Sequence, residues 1–202
     1  MTTPPSDDDL LLRTHSGDEE AFVSLYRRRQ SGIYRFALHM SGSETVAEDI
    51  TQEVFLTLLH DSCGYDPQRG SLSAYLYGVA RKLVLRHLER GRFDVALDAG
   101  IGEAPLPALT VDDDPLRDLT HREGLEALRR AVLALPRRYR EVVVLCDLEE
   151  MDYAEAAAAL GCPIGTVRSR LHRARALLLD KLNQERHGRP AVRNLRPARC
   201  FV

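Results

Sequence analysis

Apolar residues recur at helical spacing through most of this chain, in two blocks separated by a stretch where the rhythm stops. In the first block Ala21, Phe22 and Leu25, then Ile33, Phe36, Ala37 and Met40, fall three and four apart. That spacing predicts a helix over about residues 19–40, with Ser31-Gly32 as the place where it would break. Ser41-Gly42-Ser43 is a stop-and-restart signal. A helix over about 45–59 follows, with Ile50, Val54 and Leu58 inward. Residues 63–71, CGYDPQRGS, carry turn chemistry and predict a loop. Leu72, Tyr75, Leu76, Val79, Ala80 and Leu83 then mark a long amphipathic helix ending near Gly91.

The second block resumes with Leu125, Leu128, Val132 and Leu135 on one helix, and Pro136 starts another. Val142-Val143-Val144-Leu145 has the β-branched character of a strand. The flanks are helical and no partner strand exists elsewhere, so this run reads as a buried helix. Residues 152–175, DYAEAAAALGCPIGTVRSRLHRAR, read as a short alanine-rich helix, a glycine turn and a second helix. Gly161 suits the left-handed position that ends a helix, and Pro163 suits the first turn of the next. At about 100° per residue, Ile164, Val167, Leu171, Ala174 and Leu178 form one apolar stripe. Arg168, Ser169, His172 and Arg173 fall opposite it, flanked by Arg170 and Arg175.

The fold class expected is therefore all-α: two small helical domains joined by a flexible acidic linker, the C-terminal one carrying a helix-turn-helix. Residues 1–16 read as a disordered N-terminal tail and 17–91 as the N-terminal domain. Residues 92–121, with Pro105, Pro107, Pro115 and many aspartates, form the linker. The C-terminal domain spans 122–184. A basic tail over 185–202 carries Arg186, Arg189, Arg193, Arg196 and Arg199.

Charge refines this picture only through its distribution. The 30 acidic and 28 basic residues nearly cancel, but a neutral total hides a local basic face. Acid gathers at Asp7–Asp9 and Asp112–Asp114, arginine on the last predicted helix and the tail. Cys63, Cys146, Cys162 and Cys200 form no CxxC pair, and the His60–Cys63 spacing has no second half. A zinc ribbon, a disulfide framework and any metal or other cofactor are accordingly not expected. The start, MTTPPSDDD, lacks the basic and apolar parts of a signal peptide. No apolar run approaches the roughly 20 residues that span a bilayer. A soluble, cytoplasmic protein without membrane insertion is expected. There is no phosphate loop, nucleophile elbow or metal spacing, so an enzyme and a small-molecule substrate are not expected.

Three constellations carry candidate chemistry. A helix anchored on one side and presenting Arg, Ser and His on the other is built to enter a DNA major groove. Asp49, Gln52 and Glu53 share one helix face; spacing alone fits a solvated acidic face, and such a patch also suits an arginine-bearing protein partner. Arg69, Tyr75, Tyr77, Arg81, Lys82, Arg86 and Arg90 interleave rings and cations, which suits stacking and charge-tracking on single-stranded DNA. Tyr75 shares a stripe with Leu72 and Val79, so it is expected in the core.

The run GTVRSRLHRAR resembles the recognition helix of bacterial sigma factors, in particular the compact extracytoplasmic-function group. LPRRYREVVVLCDLEEMDYAEAAAALG is similar to the first half of that family's C-terminal DNA-binding domain. GDEEAFVSLYRRRQSGIYRFAL, AEDITQEVFLTLL and GSLSAYLYGVARKLVLRHLERGR follow its N-terminal domain in order. The resemblance runs from Gly17 to about Leu182. It implies that the D-I-T-Q-E-V-F helix, with Asp49, Gln52, Glu53 and Phe55, docks onto the clamp coiled coil of the polymerase's largest subunit. It implies that the 65–71 loop and the helix after it, with Arg69, Tyr77, Arg81, Lys82 and Arg86, capture a flipped base of the minus-ten element. It places Arg168, Ser169, His172 and Arg173 against the minus-thirty-five element, with Thr166 near phosphate.

The implied partners are core RNA polymerase, promoter DNA and an anti-sigma protein, and the acidic linker would thread a basic polymerase channel. The family commonly has Trp at Tyr75, Asn at Lys82 and a bulky aliphatic residue at Ala156. Lys82 cannot accept a hydrogen bond, so the base preference of the melted element is expected to differ. Two other readings fit the residues alone: a stand-alone helix-turn-helix regulator, and a polymerase-bound adaptor without DNA readout.

Overall fold

The computed structural model describes the backbone of residues 4–60, 64–95 and 115–187, with side chains over 4–60, 64–90 and 124–183. All regular structure among these residues is helical. In order it comprises α1 (Asp7–His15), α2 (Glu19–Ser41), α3 (Glu44–His60), α4 (Leu72–Val95), α5 (Pro115–Leu133), α6 (Arg137–Val143), a π-helical turn (Val144–Leu148), α7 (Tyr153–Leu160) and α8 (Ile164–His187).

Helix α1 corrects the expectation of a disordered tail over 1–16. Ser6 caps it: its side chain accepts from the Asp9 N–H, while the Asp9 carboxylate reaches back to the Ser6 N–H. This reciprocal box satisfies two N–H groups that a helix start otherwise leaves bare. The aspartates of its first turn lie at the positive end of the helix dipole. Leu10 and Leu11 are buried. Asp7 pairs with Arg28 and Arg29 of α2, and the His15 ring bonds the Leu58 carbonyl of α3. The acidic run at 7–9 is therefore a capped, docked helix start rather than a solvated end.

Helix α2 runs unbroken through Ser31-Gly32 and stops at Gly42, which takes the left-handed conformation at φ 77°. The linker expected over 92–121 is shorter at both edges, since α4 continues to Val95 and α5 begins at Pro115. Residues 96–114, including Asp112–Asp114, lie outside the described residues, as do 188–202 of the tail. In the C-terminal block the valine run is helical. It leaves α6 through one wider π turn, in which the Glu149 N–H bonds the carbonyl of Val144. Glu150 then takes a left-handed φ of 53°, and the chain reverses into α7.

The two blocks do not stand apart. α4 packs on α7, and α2 packs on α5, α6 and the π turn. Buried residues from Leu10 to Ala174 form one continuous apolar cluster. The seam is close because small residues line it. A Cβ built on Gly70 would lie 3.7 Å from the Ala158 Cβ, and one on Gly78 would lie 3.5 Å from the Ala159 carbonyl oxygen. At the end of α2 the Arg140 side chain donates to the Met40 carbonyl at 2.7 Å and also to Leu133 and Leu135 carbonyls. An arginine from α6 thus satisfies a helix-end carbonyl of α2. Burial, reinforced by Arg137, pulls the Arg140 pKa down.

Candidate nucleic-acid interface

The α7–turn–α8 unit is built as expected. The Asp152 carboxylate accepts from the Ala154 and Glu155 N–H groups and starts α7. Gly161 ends it at φ 64°, in the region where only glycine avoids a Cβ penalty. Val167, Leu171 and Ala174 are fully buried against the rest of the C-terminal block, and Leu178 is half-buried. Ile164 departs from the expected stripe and is 41% exposed.

Arg168, Ser169, His172 and Arg173 are all exposed along one side, with Thr166 half-buried at its start. Arg168 lies 5.7 Å from the centre of the Tyr153 ring, and Ser169 donates to the Thr166 carbonyl at 3.1 Å. Arg175 is drawn away into a two-bond pair with Asp147, whose hydrogen bonds and charge raise the arginine's pKa. This side of α8 is thus organised and open to solvent.

On α3, Asp49, Gln52 and Glu53 are exposed together. Phe55 is not on that surface. It is 2% exposed, with its ring 4.7 Å from Tyr26 and 6.4 Å from Phe22. Its role is to seat the helix that carries the acidic face. Beside the face runs a groove of about 350 Å³ between α2 and α3, lined by Tyr26, Gln30, Tyr34, Arg35, Glu48 and Gln52 among others.

The third constellation is divided. Arg69, Lys82 and Arg86 are exposed. The loop and α4 enclose a cavity of about 420 Å³ that includes Tyr65, Arg69, Tyr75 and Lys82. Its opposite wall is Ala158–Gly161, the end of α7 and the turn. Tyr75 is half-buried with its ring 5.6 Å from Tyr65 rather than deep in the core. The Tyr65 hydroxyl donates to Asp8 of α1 at 2.7 Å.

Tyr77 turns away from solvent, whereas Arg81 is half-buried on the wall of the same cavity. Tyr77 is 7% exposed, packs edge-on against Phe36, and donates to Glu149 at 3.1 Å. Burial first, then the Glu149 charge and hydrogen bond, push its pKa up, so it is a neutral donor. Arg81 donates to Glu141 at 2.9 and 3.4 Å. In this arrangement Tyr77 and Arg81 both hold the C-terminal block, and the Tyr77 hydroxyl is covered.

Sequence reasoning missed the groups that receive them. The side chain of Glu149 is 2% exposed and accepts from Arg35 at 2.9 and 2.6 Å. That of Glu141 is 3% exposed. Ser71, at the end of the loop, donates to Glu155 of α7 at 2.5 Å. A buried carboxylate persists only where cations and donors satisfy it. Nothing in the sequence pointed to them; in the structure a Cβ on Gly32 would lie 2.5 Å from the Tyr77 hydroxyl and 3.2 Å from Glu149.

His39 responds to pH at the same seam. Burial, aided by the charges of Arg129 and Arg35, lowers its pKa below the ordinary 6.5. Below 6.5 the unfolded chain binds a proton that the folded chain resists. Stability is therefore intact above that pH and is lost as pH falls through 6.5 toward the folded value. Urea midpoints measured between pH 7.5 and 5.5 should fall, and His39→Gln should flatten that slope.

The match to the description "Sigma-70 region 2" covers residues 25–93, and that to "Sigma-70, region 4" covers 125–178. The probable RNA polymerase sigma-C factor of Mycobacterium bovis is 33% identical over 188 residues, covering 89% of this chain and 96% of that protein. ECF RNA polymerase sigma factor SigW of Bacillus subtilis is 30% identical, over 85% of this chain and 94% of its own length. SigE of Mycolicibacterium smegmatis is 36% identical over 83% of this chain, which spans 65% of that longer protein. Among solved structures, CnrH in complex with the cytosolic domain of CnrY superposes with a TM-score of 0.66 at 26% identity, covering 90% of this chain and 99% of CnrH.

Proposed function

This chain belongs to the extracytoplasmic-function group of sigma factors, and from that premise we propose that it directs core RNA polymerase to specific promoters and starts DNA-templated transcription there. The observation that carries the site assignment is the exposed Arg168–Ser169–His172–Arg173 side of α8, set on a rigid helix-turn-helix. Arginine there donates in pairs to guanine or grips phosphate, and Ser169 and His172 reach neighbouring edges. This side reads the minus-thirty-five element, with Thr166 at the backbone.

The cavity between the loop and α4 takes an unpaired base of the minus-ten element. Arg69, Lys82 and Arg86 track the backbone, and Tyr65 and Tyr75 offer rings to stack on. Tyr77 and Arg81 join them once the C-terminal block has moved. The Asp49–Gln52–Glu53 face docks on core polymerase. Two weak DNA contacts joined through one polymerase give a tight assembly without either being tight alone. The chain does no covalent chemistry of its own. An anti-sigma protein is a further partner that membership of the group implies. None of the described helices is long and apolar enough to cross a membrane, which accords with action in the cytoplasm.

Reversing both charges, Asp49→Lys with Glu53→Lys, tests the docking face. Both groups are exposed, so the fold should hold. Affinity for core polymerase should fall by about tenfold or more, as expected for losing complementary charges at an interface. Unchanged co-purification would instead favour a regulator that acts without polymerase.

A further inference from the structure

One side chain belongs to two places at once. Arg35 lines the α2–α3 groove together with Gln52, beside the exposed Asp49 and Glu53. The same guanidinium is the two-bond partner of Glu149, the buried carboxylate from beyond the π turn. The Arg35 side chain is 52% exposed and that of Glu149 is 2% exposed. The arginine is therefore reachable from the groove while the carboxylate is not.

We infer that Arg35 couples docking in the groove to release of the C-terminal block. This rests on the proposed polymerase-docking face. The occupant is an acidic side chain of the docking partner, because a half-exposed guanidinium forms its strongest pair with a carboxylate. Such a group takes the donors of Arg35 away from Glu149. Glu149 then keeps the Tyr77 hydrogen bond but loses its two-bond cation, with Arg28 and Arg29 only lining the same small pocket, and a buried charge that loses its paired cation is strongly unfavourable. The relief is for the C-terminal block, α6 and the π turn with α7, to move off α2 and α4 so that Glu149 meets water.

That movement does three things. It frees the Tyr77 hydroxyl, draws Glu141 from Arg81, and lifts Ala158–Gly161 off the wall of the base-capture cavity. The closed chain thus covers its own melting surface and uncovers it where polymerase is bound. Gly32 favours the apposition, since a Cβ there would lie 2.5 Å from the Tyr77 hydroxyl and that ring would have to shift. The apposition also needs the small residues between α4 and α7, which set the close approach of the two blocks.

Two alanine variants of the full chain separate coupling from simple latching. Small-angle scattering of the free chain reads closure, and titration into core polymerase reads affinity. Wild type should be compact. Glu149→Ala should expand and bind about tenfold tighter, because the apparent affinity of a mostly closed chain is reduced by its open fraction. Arg35→Ala should expand as well, yet bind no tighter than wild type, since it has also lost the contact in the groove. Swapping the charges, Arg35→Glu with Glu149→Arg, should restore compactness and confirms that the variants fold.

If Arg35→Ala gains affinity as fully as Glu149→Ala, Arg35 is only a latch and coupling is overturned. A Glu149→Ala chain as compact as wild type overturns the latch itself. Failure of both wild type and the expanded variants to bind polymerase overturns the docking face, and coupling with it, while the scattering arm still reports whether the latch exists.

Discussion

Replacing Arg168 and Arg173 together by alanine should lower initiation at minus-thirty-five-dependent promoters by about a hundredfold. Both side chains stand in solvent on the outer side of α8. Arg168 touches only the Tyr153 ring nearby, at the long distance of 5.7 Å. Their removal leaves Val167, Leu171 and Ala174 in place, so the helix stays packed. Each good arginine–base pair is worth about 1–3 kcal/mol of discrimination, and two such losses give roughly that factor. Affinity for core polymerase should not change. Run-off transcription and polymerase titration, done on the same protein, measure both. Equal loss at promoters with and without the upstream element would mean that the arginines grip phosphate rather than read bases.

A chemical lock across the seam should have a still larger effect. A Cβ on Gly70 would lie 3.7 Å from that of Ala158, within the about 3.5–4.5 Å that a disulfide spans. Gly70→Cys with Ala158→Cys, in a chain whose four native cysteines are serine, should oxidise to a closed form. That form should be essentially unable to melt a promoter, because the end of α7 is fixed against the cavity proposed to take the unpaired base. Reductant should restore activity to the level of the single-cysteine variants. Those variants share the backbone cost of a side chain at Gly70, where φ is 152°, so the difference isolates the lock. Permanganate reactivity of unpaired thymines gives the readout. Full melting by the oxidised form would show that the loop and α7 need not separate.

Both results depend on features that differ in how visible they were from the sequence. The α8 face was legible because helical periodicity alone separates Val167, Leu171 and Ala174 from Arg168, His172 and Arg173. The long helices were legible for the same reason. Helix α1 was missed because a run of three aspartates resembles a solvated end. Its signals were Ser6 three residues before Asp9, and the paired Leu10-Leu11. Phe55 sits inside a matching motif, yet its ring faces Tyr26. Motif membership does not distinguish a contacting residue from one that seats the helix.

The seam was not legible at all. Arg35 and Glu149 are 114 residues apart, and nothing local in either segment requires the other. Tyr77 and Tyr75 are two residues apart on a helix and so lie on nearly opposite sides of it, and what packs on each side decides which is buried deeper: Phe36 and Glu149 cover Tyr77, while Tyr75 meets Tyr65. Gly32 looked like a helix break. It is instead the point where a continuous helix admits a tyrosine hydroxyl and a carboxylate.

The central claim is that this chain gives core RNA polymerase its promoter choice. The direct measurement is run-off transcription with purified core polymerase, the purified chain and a pool of genomic fragments. Discrete starts should appear only when the chain is present, with a shared upstream element that loses its effect when Arg168 and Arg173 are alanine. Start sites that are the same with and without the chain would contradict the claim.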